Sequence, residues 1–391
     1  MSLSILCLFF TLNSSLLTFI SCTSEQVPPA EEQGAPVQIM SYLAPYEDVE
    51  STGTRAGEWT PPTGYYEPIK HASIGAFFTY STVEQRRIWY YTTTTPNKWI
   101  IDKEAPAGTQ YLYGFSPNEA AGASSVAPNS SYANGAILTL NNMGSVSGED
   151  ICILVGAKEG KSATEIADGK TLRRGDFSCT IYNGANMHNY LFMIFEHLYA
   201  AIDFQFHVDD TYAALRKIKL KKLELRGYSS YNSDDDNTLM KRKGINATVT
   251  LTANDDATGG TSPITNITFS QNATGDPMPF ITFFDGEVEI PSGTVANSEE
   301  LKYTDNVDYA YVVPNINNFY MLRSTYDVYD RDDNLIRGNS IVENKIDMYR
   351  LFNSIPYLDR GKKYTIKLTL KPTYLYQLGN WDLDNPTVEL N

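Results

Sequence analysis

Histidine, cysteine and closely set carboxylates are where hydrolytic or metal chemistry would begin, and this chain holds few of them in useful patterns. It has four histidines, His71, His188, His197 and His207, and four cysteines, Cys7, Cys22, Cys152 and Cys179. No two histidines have the short spacing that sets a pair of imidazoles on one helical face for zinc, and His188 and His197 stand nine apart. No Gly-x-Ser-x-Gly elbow is present to carry an acyl-transfer serine. Cys152 lies inside the apolar run Ile151–Val155, the setting of a buried free thiol, and neither Cys152 nor Cys179 has a histidine partner near it in sequence. His197 and His207 are expected to be partly buried strand residues with satisfied ring nitrogens.

Three further patterns invite a chemical reading. Gly156-Ala157-Lys158-Glu159-Gly160-Lys161-Ser162 follows an apolar strand but has three residues between its glycines. A phosphate-binding loop needs four, and then a helix, so a polar hairpin loop is the better reading. Asp234-Asp235-Asp236-Asn237 and Asp330–Asn334 lack the glycine and distal glutamate of an EF-hand and read as solvated loops. Trp59, Tyr65, Tyr66, Trp89, Trp99 and Trp381 would stack on sugar rings if they shared a cleft, but half-buried aromatics of a β-sandwich are the default. The expectation is a chain with no catalytic residues, no metal and no cofactor.

Charge excludes another class. The formal net charge is −15, which repels nucleic-acid phosphates and anionic lipid and keeps a chain soluble outside the cell. The N-terminus points outward too. Residues 3–20 are apolar in two blocks interrupted by Asn13-Ser14-Ser15, too short and broken for the ~20 apolar residues of a membrane span, and they read as a cleavable signal peptide over 1–21. Ser21-Cys22 follows directly. A small residue before a cysteine at this point resembles a bacterial lipobox, which implies lipidation at Cys22. Residues 23–36, rich in Glu, Gln, Pro and Ala, have the composition of a flexible tether.

The elements that must carry everything else are strands. Ile74–Tyr80, Ile88–Tyr91, Tyr111–Phe115, Ala136–Leu140, Ile151–Gly156, Ile202–Val208, Ala247–Leu251, Phe280–Phe284, Tyr309–Val313, Tyr320–Tyr329 and Tyr364–Leu370 are short β-branched or aromatic runs bounded by Gly, Pro, Asn, Ser and Thr. That is the signature of sandwiches and barrels. Tyr364-Ile366-Leu368-Leu370 alternate with Thr365, Lys367 and Thr369, predicting one packed and one wet face. Ile218-Leu220 and Leu223-Leu225 show the same pattern with a one-residue slip at Lys221-Lys222, as a β-bulge produces. Val328–Ile336 reads as a hairpin turning at Asp330–Asn334. Short helices are expected at Tyr212–Lys217 and Lys345–Phe352, and a domain boundary near residue 190.

Segment 36–59 asks for a functional explanation. Val37, Ile39, Ser41 and Leu43 alternate with Gln38, Met40, Tyr42 and Ala44, a first strand over 36–44 that is apolar on both faces. An acidic loop over 45–58 follows and carries Arg55, a basic residue placed where proteolysis concentrates.

In order along the chain, Cys22, Thr54-Arg55-Ala56, Ser73-Ile74-Gly75-Ala76-Phe77-Phe78, Tyr111–Pro117, Asp150–Gly156, Phe195–Phe204, Tyr364–Tyr374 and Asp384–Val388 resemble the fimbrillins, pilus subunits of Bacteroides-type bacteria. The resemblance spans nearly the whole chain. It implies two tandem transthyretin-like β-sandwich domains, over 36–189 and 190–391, with 22–35 as the tether. It also implies an outer-membrane lipoprotein precursor cut between Arg55 and Ala56. Cutting there removes six acidic residues and one basic residue together with the first strand, which Val37, Ile39, Met40 and Leu43 anchor. A strand from another pilus subunit would take its place by β-strand addition. The mature form is then expected in a cell-surface fimbrium, meeting host or bacterial surface ligands. The other expectation carried forward is a glycan-binding or other non-pilus surface lipoprotein.

Overall fold

Runs of Val, Ile, Phe and Tyr broken every few residues by turn formers become strands along the whole described chain. The computed structural model describes residues 37–50, 67–68, 73–80, 82–91, 98–101, 105–144, 146–160, 172–181, 189–228, 244–254, 261–271, 280–291, 304, 307–314, 319–352, 355, 357–375 and 380–390. The signal peptide, Cys22, the tether, Arg55, Ala56, Trp59, Tyr65, Tyr66, His71, His188 and Asp234–Asn237 lie outside the described residues.

In chain order the first strands are β1 (Val37–Leu43), β2 (Glu47–Glu50), β3 (Glu67–Pro68), β4 (Ser73–Thr79), β5 (Val83–Tyr91), β6 (Lys98–Ile101) and β7 (Gly108–Ser116). A 3-10 turn at Asn118–Ala120 leads to β8 (Ala123–Asn129), β9 (Ser131–Met143), β10 (Val146–Ser147), β11 (Cys152–Gly160), β12 (Ser178–Ile181) and β13 (Asn189–His197). The later strands are β14 (Ala200–Val208), β15 (Lys217–Tyr228), β16 (Ile245–Thr252), β17 (Ile264–Gln271), β18 (Ile281–Glu289), β19 (Ala310–Val312), β20 (Phe319–Tyr329), β21 (Leu335–Asp347), β22 (Lys362–Leu375) and β23 (Asn380–Leu390). Two single helical turns, α1 (Asp210–Ala213) and α2 (Met348–Leu351), complete the described elements. None of the described helices is long and apolar enough to cross a membrane.

The fold is all-β and built of several packed sheets. A nine-stranded sheet has the order β3-β1-β13-β11-β7-β4-β5-β6, with β12 also on β7. It curls until β1 lies alongside β6 without hydrogen-bonding to it, and Ile39, Ile74, Phe78, Ile88, Leu112, Leu154 and Phe195 fill the core inside the curl. Its other face, with Phe77, Tyr113, Phe115 and Ile153, packs on the four-stranded sheet β17-β16-β9-β8. A strand covered on both faces should read as one unbroken apolar run, and all seven residues of β4 are buried. β16, covered on one face, alternates buried and half-buried along Ile245–Thr252.

The third core lies between the six-stranded sheet β10-β19-β14-β22-β2, with β23 also on β22, and the sheet β18-β15-β20-β21. The slip at Lys221-Lys222 is the expected bulge, because the pairing of β15 with β18 and with β20 shifts between Leu220 and Lys222. The β20–β21 hairpin turns at Asp330–Asn334, where the Asp330 carboxylate accepts from the amides of Asp332 and Asn334 at 2.9 and 2.8 Å. Several strands enter a core from a distance in sequence. β16 pairs with β9, and β2 pairs with β22.

Two expectations are corrected. The helices are shorter than predicted because strand pairing claims their ends: Lys217 pairs with Tyr329 at the start of β15, and Lys345 pairs with Met321 in β21. Thr365 and Thr369 of β22 are buried rather than wet. β14 runs beside them, and Asp203 and His207 on that strand approach their hydroxyls at 3.5 and 3.2 Å.

Candidate functional site

The segment 37–50 joins two sheets. β1 runs parallel to β13, Val37 opposite Asn189 through Leu43 opposite Phe195, one strand in from the end of its sheet. After Leu43 the chain stays in contact: the Ala44 amide donates to the Phe195 carbonyl at 3.2 Å and the Glu47 amide to the Gly361 carbonyl at 2.9 Å. β2 then runs parallel to β22, Glu47 opposite Lys362 through Glu50 opposite Thr365. Of the residues expected to anchor the first strand, Ile39 is buried in the curled sheet's core, Leu43 packs against that core half-buried, and Met40 is half-buried. Val37 opens the strand.

Between the two strands, Tyr46 caps a buried carboxylate. Its hydroxyl donates to Asp150 Oδ1 at 2.8 Å and its ring stacks on His197, centroids 3.6 Å apart. His197 Nδ1 meets Asp150 Oδ2 at 2.6 Å, and the Cys152 Sγ lies 4.0 Å from the same nitrogen. Burial, reinforced by the Asp150 charge, pushes the Tyr46 phenol and the Cys152 thiol well above their ordinary pKa values. Burial first and Asp150 second raise Tyr199 and Tyr311 in the same way.

A cavity of about 280 Å³ lies beside this cluster, lined by His197, Pro45, Glu47, Arg174, Glu196 and Arg360 among others. Glu196 is its hub. Ser262 Oγ donates to Glu196 Oε2 at 2.6 Å, Arg360 Nη1 donates to the same oxygen at 2.9 Å, and Arg174 Nε stands 3.3 Å from Oε1. Four segments remote in sequence are tied at one point.

This cluster is what sequence reasoning missed. Cys152 does have a histidine partner, because the two residues are directly opposite in the β11–β13 ladder. His197 and His207 are both buried rather than partly buried, and the Nε2 of His197 has no hydrogen-bond partner among the described residues. The only signal available was the Asp150-x-Cys152 spacing, which puts both side chains on one side of an extended chain.

The arrangement does not make a nucleophile. A relay needs the thiol and the carboxylate on different ring nitrogens, whereas both approach Nδ1. Gly156–Gly160 are strand residues of β11, neither a phosphate loop nor the expected hairpin loop, and Lys161 and Ser162 lie outside the described residues. Asp330–Asn334 is a self-bonded turn. Trp89 and Trp99 do not share a cleft: Trp99 pairs with Tyr90 in the β5–β6 ladder, so alternation puts the adjacent Trp89 on the opposite face. Cys152 and Cys179 are both buried and free.

No protein-family model matches the chain, and no curated protein sequence matches it. Among solved structures it is similar to a candidate cell adhesion protein of Bacteroides fragilis, at 12% identity and a TM-score of 0.40, covering 91% of this chain and 97% of that one. It is similar to a fimbrial protein of Bacteroides vulgatus at 14% identity and a TM-score of 0.33, covering 82% and 91%. It is also similar to the fimbrial anchor protein Mfa2 of Porphyromonas gingivalis, at 8% identity and a TM-score of 0.26, covering 91% of this chain and 98% of that one.

Proposed function

We propose that this chain is a structural subunit of a bacterial surface fimbria, carried as a lipid-anchored precursor and assembled by strand exchange in the service of adhesion. One observation supports the reading above all: residues 37–50 add one parallel strand to β13 and a second to β22. A segment held this way, by main-chain hydrogen bonds and a few side-chain pockets, is what another extended chain can replace.

In the proposed scheme Cys22 carries the outer-membrane lipid, and a protease cuts between Arg55 and Ala56. β1 then leaves with Val37, Ile39, Met40 and Leu43, and β2 leaves with it. The burial of Ile39 alone contributes about 1.5–3 kcal/mol. The edges of β13 and β22 lose seven and four strand partners, and Asp150 loses the Tyr46 donor. A strand from another subunit restores all of these at once.

Limited trypsin digestion of the purified precursor, followed by size-exclusion chromatography, tests the proposal. Cutting at Arg55 is expected to convert monomer to oligomers that resist mild heating, and Arg55→Ala to leave monomer. A stable monomer after cutting at Arg55 overturns assembly by strand exchange and leaves a surface lipoprotein of other purpose.

A further inference from the structure

Cys152 and His197 face each other as directly paired residues of adjacent antiparallel strands, and Asp150 reaches the same spot from two residues upstream. One ligand atom from each lies within 4.8 Å of the others, and all three residues are buried. Oxygen, nitrogen and sulfur donors together are the set that zinc-class ions accept. Here they converge on one point, with sulfur and oxygen both directed at Nδ1. The imidazole is committed through that nitrogen alone, because Nε2 has no hydrogen-bond partner among the described residues while the ring lines the cavity. A ligating histidine uses one nitrogen for the metal and the other for an outer partner, so the cavity side is left for that second role.

We propose that Asp150, Cys152 and His197 form a binding site for a divalent transition-metal ion of the zinc class. Ligand bonds of about 2.0–2.3 Å in a tetrahedron set neighbouring ligand atoms about 3.3–3.6 Å apart. From the observed 4.0 and 2.6 Å, the sulfur must close by about 0.4 Å and the carboxylate must open by about 0.7 Å. On binding, the Cys152 thiol proton goes to solvent and the imidazole carries its one proton on Nε2 rather than Nδ1, so affinity rises with pH through the thiol. The fourth position falls to water or to the Tyr46 phenol, already 2.8 Å from Oδ1. The ion then ties the approach to β11 onto the end of β13, just before the chain crosses into β14.

The test is refolding of the full chain, with Cys7→Ser and Cys22→Ser, from denaturant and chelator with and without Co²⁺, so that burial does not limit access. One Co²⁺ per chain is expected, with sulfur-to-cobalt charge-transfer absorption, displacement by Zn²⁺, and a higher Tm in Zn²⁺ than in EDTA. Cys152→Ser is expected to abolish the band, and His197→Gln to weaken binding by at least about tenfold. Cys179→Ser, which removes the other buried thiol, should leave band and affinity unchanged. Should Cys152→Ser fail to refold, X-ray absorption at the cobalt edge of the unsubstituted site must count one sulfur ligand. A refolded chain with no cobalt band, a band that survives Cys152→Ser, or a cobalt shell without sulfur overturns the site.

Discussion

Tyr46 lies flat against His197, ring planes 20° apart, and its hydroxyl closes on the carboxylate that His197 also holds. The N-terminal strap is therefore fastened at its midpoint by polar contacts, while β1 and β2 hold it on either side by main-chain pairing.

Tyr46→Phe keeps the stack and removes one donor from buried Asp150. The expected loss is about 1–3 kcal/mol, the cost of an unsatisfied buried acceptor, read as a lower urea midpoint with an unchanged slope. Tyr46→Ala, which also loses the stack, should cost more. A neutral Tyr46→Phe would show that Asp150 does not depend on the strap.

The Glu196 hub should be far more sensitive than the ion pair at the strap's end. Glu196→Gln removes the carboxylate charge 3.3 Å from Arg174, which is 3% exposed, and breaking such a buried pair costs about 3–5 kcal/mol. Arg360→Met and Ser262→Ala share one Glu196 oxygen, so their effects should depart from additivity by about 0.5 kcal/mol or more. Asp48 bonds Lys363 at 2.7 Å but is 67% exposed, and Asp48→Asn should cost less than about 1 kcal/mol. Chemical denaturation of the variants ranks them.

Acid stability has a mapped contributor in Glu287. Hydrogen bonds from Lys219 and Lys221 lower its pKa from 4.5 to about 2. A carboxylate lowered in the fold contributes stability that is present above pH 4.5 and is lost as pH falls through about 2. Glu287→Gln should therefore flatten the fall in Tm over that window, and salt should shrink the difference because the site is exposed. An acid limb of the same slope in both proteins would count against it.

Gly135 has φ of +129°, and a Cβ there would stand 2.0 Å from the Leu251 carbonyl oxygen. The contact is backbone, so it cannot rotate away. Gly135→Ala should cost at least about 2 kcal/mol and loosen the β9–β16 pairing, seen as faster amide exchange in Ala136–Leu140 than in β22.

Local patterns were legible in the sequence. The bulge at Lys221, the hairpin at Asp330–Asn334 and the packed row Tyr364-Ile366-Leu368-Leu370 all depend on neighbours a few residues away, which periodicity reports. The junction was not legible, because nothing local marks Asp150 as the partner of Tyr46 or His197, or Glu196 as that of Arg360. The burial of Thr365 and Thr369 was hidden likewise: a strand's exposure depends on which strands flank it, and β14 comes from more than 150 positions earlier in the chain.

β1 runs parallel to β13, and β2 runs parallel to β22. A strand laid parallel to its partner gives the junction an arrow. If such a segment passes from each chain to the next, every junction repeats one heterologous contact. Repeats of that kind close into a ring only when their rotation sums to a full turn, and otherwise grow into a filament. Its two ends would differ, a head that offers a strand and a tail that receives one.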